Sequence, residues 1–228
     1  MEPIIKKIQT AIFIKNFQIQ NEYEKSNLLL ELRGKVGGIF NGQPILIPVP
    51  NDAPPEIPRI VLNSADNLYS CNIALNRSDI FFNVSNCIKN DIDTLFEKQK
   101  NNSLSIFDYL KEKNAVIIRI GFVVDTDYQN SEGVEFLKNK FSKGEKFDNP
   151  KELSFRYNKE TKIGNTTIAM NNLMTISGKK GSNIIQVQLD INTLAENTDS
   201  ADFSKISLEE IIDYSASRAK DLMKNIFI

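Results

Sequence analysis

The order strand, helix, three strands, helix is written twice along this chain of 228 residues, with a join near Asn114. That order constrains the fold more than any single motif, because short successive strands pair with their neighbours and long amphipathic helices must bury one stripe. In the first half, 8–19 alternates as a strand does. Ile8, Thr10, Ile12 and Ile14 fall on one face, and Phe17 and Ile19 are shifted by one, as a bulge would shift them. From Asn21, Leu28, Leu29 and Leu32 suit a helix that Gly34 would stop. Gly37, Gly38, Gly42 and the prolines from Pro44 to Pro58 make an extended connection, within which 45–47 can add a short edge strand. A meander follows over 59–62, 68–75 and 79–84, punctuated by Ser64-Ala65-Asp66-Asn67 and Asn76-Arg77-Ser78. The spacing then predicts a helix over 88–113, broken or kinked at Asn101-Asn102-Ser103.

The second half opens on 115–127, whose apolar run over 116–124 is the strongest strand in the chain and reads as central. A short helix over 133–141 sets Val134, Leu137 and Phe141 on one side, and strands are expected over 152–161, 166–177 and 183–191. Ser207-Leu208-Glu209-Glu210 reads as a capping box opening the last helix. The fold class is therefore α+β. Two pseudo-repeats, 1–113 and 114–228, each form an antiparallel sheet packed against a long helix, either as two units or fused into one domain. Residue identity between the halves is negligible, so the repeat is one of element order.

Composition narrows the chemistry. The chain has no histidine and two cysteines, which removes the commonest general base and metal ligand and excludes Ser-His-Asp and Cys-His sites. Cys71 and Cys87 could pair with each other but cannot complete a zinc site alone, and in a cytosolic chain they read rather as small buried hydrophobes. The formal net charge of −1 disfavours general binding to a phosphate backbone. No run approaches a membrane span and the first residues lack a signal-peptide core, so a cytoplasmic protein is expected, and the abundance of Asn, Lys and Ile, as from an AT-rich genome, points to a bacterial one.

Three constellations remain. Asp125 and Asp127, i and i+2 on the strongest strand, point to one face and with Asp190 would offer oxygen ligands to a divalent ion. The plainer reading is a strand turning out of its sheet through Tyr128-Gln129-Asn130-Ser131. Lys138, Lys140, Lys143 and Lys146, interleaved with Phe136, Phe141 and Phe147, form a basic-aromatic stretch of the kind that binds single-stranded nucleic acid, or else an amphipathic helix with solvated lysines. Pro54 and Pro55 in the extended connection and the apolar tail Ile226-Phe227-Ile228 are candidate contact surfaces, the tail docking either on its own sheet or in a partner. Gly178-Lys179-Lys180-Gly181-Ser182 lacks the phosphate-loop spacing and reads as a hairpin tip.

Phe40-Asn41-Gly42-Gln43-Pro44, the strands around 58–64, Ile118-Arg119-Ile120-Gly121-Phe122 and Leu189-Asp190-Ile191-Asn192 before the last helix together resemble a sporadically distributed family of prokaryotic proteins with no established activity. Where that family shows tyrosine and asparagine after the Arg-Ile-Gly strand, this chain has Val123-Val124-Asp125. The resemblance implies no catalytic residues. Its patchy distribution implies an accessory gene on mobile elements or in a phage-defence locus. The expected function is a non-catalytic interaction or scaffold protein, a subunit or adaptor with a protein partner or a homo-oligomer, and without a cofactor. The alternatives are a metal-dependent enzyme acting on phosphate esters through Asp125, Asp127 and Asp190, and a nucleic-acid-binding module using the lysine stretch.

Overall fold

The strands β1 (Pro3–Lys15) and β6 (Val116–Gln129) pair antiparallel along nearly their whole length, from Pro3 opposite Tyr128 to Lys15 opposite Val116. The computed structural model describes residues 1–19, 22–36, 38–50, 52–84, 91–142, 148–164, 168–194, 203 and 205–227, with the side chains of 22 and 205–207 excepted. Both central strands carry the alternation that a half-buried sheet needs. Ile8, Thr10 and Ile12 stand on one face with Phe122 and Val124, all fully buried, while the odd-numbered residues of β1 between them and Val123 of β6 face the other way. The irregularity expected near Phe17 sits elsewhere: register shifts fall between Ile5 and Lys7 and between Phe13 and Ile14, and the strand begins at Pro3.

Outward from β1 lie β5 (Arg77–Asn83), β4 (Tyr69–Ile73), β3 (Ile60–Asn63) and the two-residue β2 (Ile45–Leu46). Outward from β6 lie β9 (Ile184–Thr193), β8 (Ala169–Lys179) and β7 (Glu152–Lys162). The result is a single nine-stranded sheet in the order β2-β3-β4-β5-β1-β6-β9-β8-β7, antiparallel throughout. The two sheets expected from the sequence are thus one, because the first strand of each half finds its neighbour in the other half.

The helices α1 (Glu22–Lys35), α2 (Ile92–Glu112), α3 (Gly133–Phe141) and α4 (Lys205–Asn225) collect on one side. On that side Phe96 of α2 meets Phe122 edge-on at 5.5 Å, and the Tyr128 hydroxyl donates to the carbonyl of Met223 on α4 at 3.0 Å. Leu137 of α3 lies over Gly178 of β8, and α1 rides on α2, whose Tyr109 hydroxyl donates to the Leu28 carbonyl. Two boundaries differ from the sequence reading. The helix α2 is capped by Asp91, which accepts from the Thr94 backbone N–H at 2.7 Å, and runs unbroken through Asn101-Asn102-Ser103. Ser103 is fully buried there, its hydroxyl bonded to the Gln99 carbonyl at 2.7 Å and to Thr10 Oγ1 at 2.8 Å, so a residue that favours turns elsewhere is held in the helix by the sheet beneath. Likewise α4 starts at Lys205, which puts Ser207 inside the helix and not at its cap.

Candidate interaction face

With the described helices on one side, the opposite face of the sheet is built from the other half of each alternating strand. Its rows follow from the register. Arg77 of β5 lies opposite Phe13 of β1, which lies opposite Arg119 of β6. The Phe13 ring sits between the two guanidiniums, their carbons 4.8 Å and 5.0 Å from its centroid. Arg119 Nη2 donates to Asn192 Oδ1 at 2.9 Å, and Asn192 Nδ2 donates in turn to Asp190 Oδ1 at 2.9 Å. On the other flank Arg77 is bridged to Asp79, which also accepts from Gln9 Nε2 at 2.8 Å.

A parallel row runs Asn83, Lys7, Asp125, Gln188, Thr175, Arg156 across six strands. Lys7 Nζ is 3.2 Å from Asp125 Oδ2 and lies 5.6 Å from the centroid of the Phe81 ring, and Gln188 Nε2 donates to Asp125 Oδ1 at 2.9 Å. Between these rows Gln9, Val123, Asp190 and Leu173 continue from Phe81. The face is therefore amphipathic, with half-buried rings and aliphatic groups set among charges already held by a neighbour. A shallow groove of ≈ 470 Å³ runs along it, lined by Lys6, Asp125, Asp127, Thr175, Gln186 and Gln188 among others.

The sequence-derived candidates fall as follows. Asp125 and Asp127 share this groove and Asp190 shares the face, but each has its own setting: Asp125 is taken by Lys7 and Gln188, and Asp190 by Asn192. Among the described residues no three acidic or cysteine side chains converge as a metal would require. Lys138 pairs with Glu135 one helical turn away at 3.7 Å; Lys140 lies in the last turn of the same helix, and Lys143 and Lys146 lie outside the described residues. Pro54 and Pro55 are exposed, on a loop gathered around buried Arg59, whose guanidinium donates to the carbonyls of Ala53, Pro54 and Ile57. The tail docks on its own sheet: Phe227 meets Tyr128 at 4.8 Å and Phe136 at 5.5 Å, and Ile226 packs on the core, while Ile228 lies outside the described residues. Cys71 is a buried free thiol, and Cys87 lies outside the described residues.

Phe13, Arg77 and Arg119 escape a reading of the sequence. One signal for them existed. Once Ile8, Ile12 and Ile14 define the buried side of β1, Phe13 is a large ring on the polar side, and such a ring needs something to lie against. What it lies against comes from residues 64 and 106 positions further along the chain only through the register, Arg77 and Arg119 being brought in by β5 and β6. No described helix is long and apolar enough to cross a membrane. No family model matches the chain, and no curated protein matches it.

Proposed function

We propose that this protein is a non-catalytic interaction protein, a subunit or adaptor of a complex, whose protein partner lies along the face of the sheet opposite the described helices. The observation that supports this most is the Arg77–Phe13–Arg119 row. Arginines and aromatic rings are the residues that carry most binding energy at protein interfaces. Here they are held by neighbours, so that docking would cost little further side-chain entropy. The charge of the face speaks for the class of partner. Lys7, Arg77, Arg119 and Arg156 are matched by Asp79, Asp125, Asp127, Asp190 and Glu160, a balance that suits a protein surface of mixed charge and not a phosphate backbone.

The same reading takes the halves 1–113 and 114–228 as a duplicated unit, related by a pseudo-twofold axis through the β1–β6 pair. Three facts support it. The flanks run β5-β4-β3 and β9-β8-β7 from the centre outward. The helices α2 and α4 are cross-linked reciprocally, Lys100 to Asp213 at 2.7 Å and Lys220 to Asp93. Thr10 and Thr126, both buried on the central strands, each bond to the helix above, at Ser103 and at Met223. With the family resemblance, the reading carries a prokaryotic, cytoplasmic setting.

The test is affinity purification with the full chain from its native host, followed by the mass and stoichiometry of what binds. Arg119→Glu is expected to abolish capture while Tyr23→Ala, on the exposed surface of α1, leaves it intact. Equal capture by both variants would remove the face from the proposal. Manganese-dependent phosphate-ester hydrolysis lost in Asp125→Asn would replace it with the enzymatic reading.

A further inference from the structure

The two edges of the sheet are treated differently. An open edge presents unpaired N–H and C=O groups to any other strand, and folded proteins blunt such edges with short strands, prolines or bulges. The edge at β2 is blunted in this way: the strand is two residues long and is bracketed by Pro44 and Pro48. The edge at β7 is not. It runs for eleven residues without proline, glycine or bulge, its register to β8 unbroken from Glu152 opposite Lys179 to Lys162 opposite Ala169. No other described strand pairs with it. Only Leu153, Phe155 and Thr161 escape full exposure, and Tyr157 at its middle is 49% exposed. On the helix side Phe141, itself 37% exposed, leans on Phe155 at 5.2 Å, so an apolar strip ends at the open edge.

The charges along this strand are self-complementary. In an antiparallel pair of β7 strands centred on Asn158, Arg156 of each copy stands opposite Glu160 of the other, Tyr157 opposite Lys159, and Phe155 opposite Thr161. Both ion pairs then fall near the centre of the contact. A register centred on Arg156 sets that arginine against itself, and one centred on Lys159 sets lysine against lysine and Arg156 against Lys162. Centring on Tyr157 moves the only direct ion pairs to the strand ends, Glu152 against Lys162. We propose that β7 is a homodimerisation edge, on which a second copy of this chain adds its own β7 antiparallel about Asn158 to make one continuous sheet through both molecules. Such a contact is isologous and closes on itself, so it yields a dimer and not a fibre. It uses the free edge of β7, which shares Arg156 and Glu160 with the interaction face but not the Arg77–Phe13–Arg119 row. Because Arg119→Glu tests the face while the Asn158→Cys cross-link tests the edge, each proposal can fail without the other.

Sedimentation equilibrium of the full chain tests it, the expected mass being twice 25.9 kDa. Arg156→Glu places two carboxylates opposite two others and should raise the dimer dissociation constant by roughly ten- to a hundredfold, and adding Glu160→Arg should restore it. Register is read by Asn158→Cys in a Cys87→Ser background. On the twofold axis the two thiols oppose each other at disulfide distance, so oxidation should cross-link Asn158→Cys and spare Ser154→Cys. A chain that stays monomeric up to about millimolar concentration would overturn the proposal. Failure of the charge swap to restore the dimer, or cross-linking at Ser154→Cys instead, would overturn the register and with it the complementarity argument.

Discussion

Single side chains in this protein are set by what the sheet and helices press against them, and Cys71 is the clearest case. It stands on β4, fully buried, with Ser78 Oγ 3.7 Å from its sulfur. Burial pushes its thiol up to about 12 from an ordinary 9.0, the Ser78 hydrogen bond acting the other way. Burial also raises the Tyr128 hydroxyl, and burial with Glu31 alongside raises that of Tyr109, both from an ordinary 10.0. The folded chain therefore keeps protons that the unfolded chain releases at high pH. The sign follows: stability is full below the unfolded values of 9.0 and 10.0, and falls as the pH rises through them toward the folded values. Urea midpoints should decline between about pH 8 and 11, and Cys71→Ala should make that decline shallower. An unchanged slope in Cys71→Ala would take the thiol out of the account. Under native conditions Cys71 should also resist a thiol reagent until the protein unfolds. That this cysteine behaves as a small hydrophobe was legible in the sequence, since a chain poor in cysteine offers it no metal site. The Phe13 stack was not, because its partners arrive only with the strand register.

At the scale of elements, what could be read was whatever local spacing determines. Val134, Leu137 and Phe141 place α3 at the residues it occupies, and Ile45-Leu46 between prolines gives the short edge strand. The continuity of α2 could not be read. Its Asn101-Asn102-Ser103 segment is a breaker by composition, and the Ser103 hydroxyl is held both by the Gln99 carbonyl of its own helix and by Thr10 beneath it, from the far end of the chain. The junction of α3 with the β8–β9 hairpin makes a sharper prediction. Gly133 has φ +37°, and a Cβ there would stand 2.6 Å from the Ser182 carbonyl oxygen, a backbone atom that cannot step aside. Gly133→Ala should therefore cost roughly 1–3 kcal/mol in urea denaturation, from the strained backbone and the clash together. Gly178→Ala is the control. Its Cβ would meet Leu137 Cδ1 at 2.9 Å, the movable end of a side chain, and should cost less. Equal costs would mean that the Ser182 contact does not fix this corner. The exposed bridge between Lys100 and Asp213 sits at the other extreme. Its removal by Lys100→Ala should change stability by only about 0.2–1 kcal/mol, and less in high salt.

For the molecule as a whole, the question is whether the halves 1–113 and 114–228 can unfold separately. Their geometry argues against it. Each half on its own would leave the inner edge of its first strand unpaired, whereas in the protein β1 and β6 close each other's edges along nearly their whole length. The helical layer crosses the same seam, with α2 contributing Phe96 to Phe122 of the second half and α4 bridged to α2 by two ion pairs. A substitution at the seam must therefore be felt on both sides. Phe122 is fully buried under Phe96, and truncating it removes a ring from the point where the halves meet. Phe122→Ala should lower the unfolding free energy by roughly 3–5 kcal/mol in a single transition. Native-state hydrogen exchange should show the same loss of protection in the slowest amides of β4 and of β8, strands that belong to different halves and do not touch. Loss confined to β8, or a second transition in the denaturation curve, would mean that the sheet is continuous in geometry but not in energy, and that each half folds on its own side of the seam.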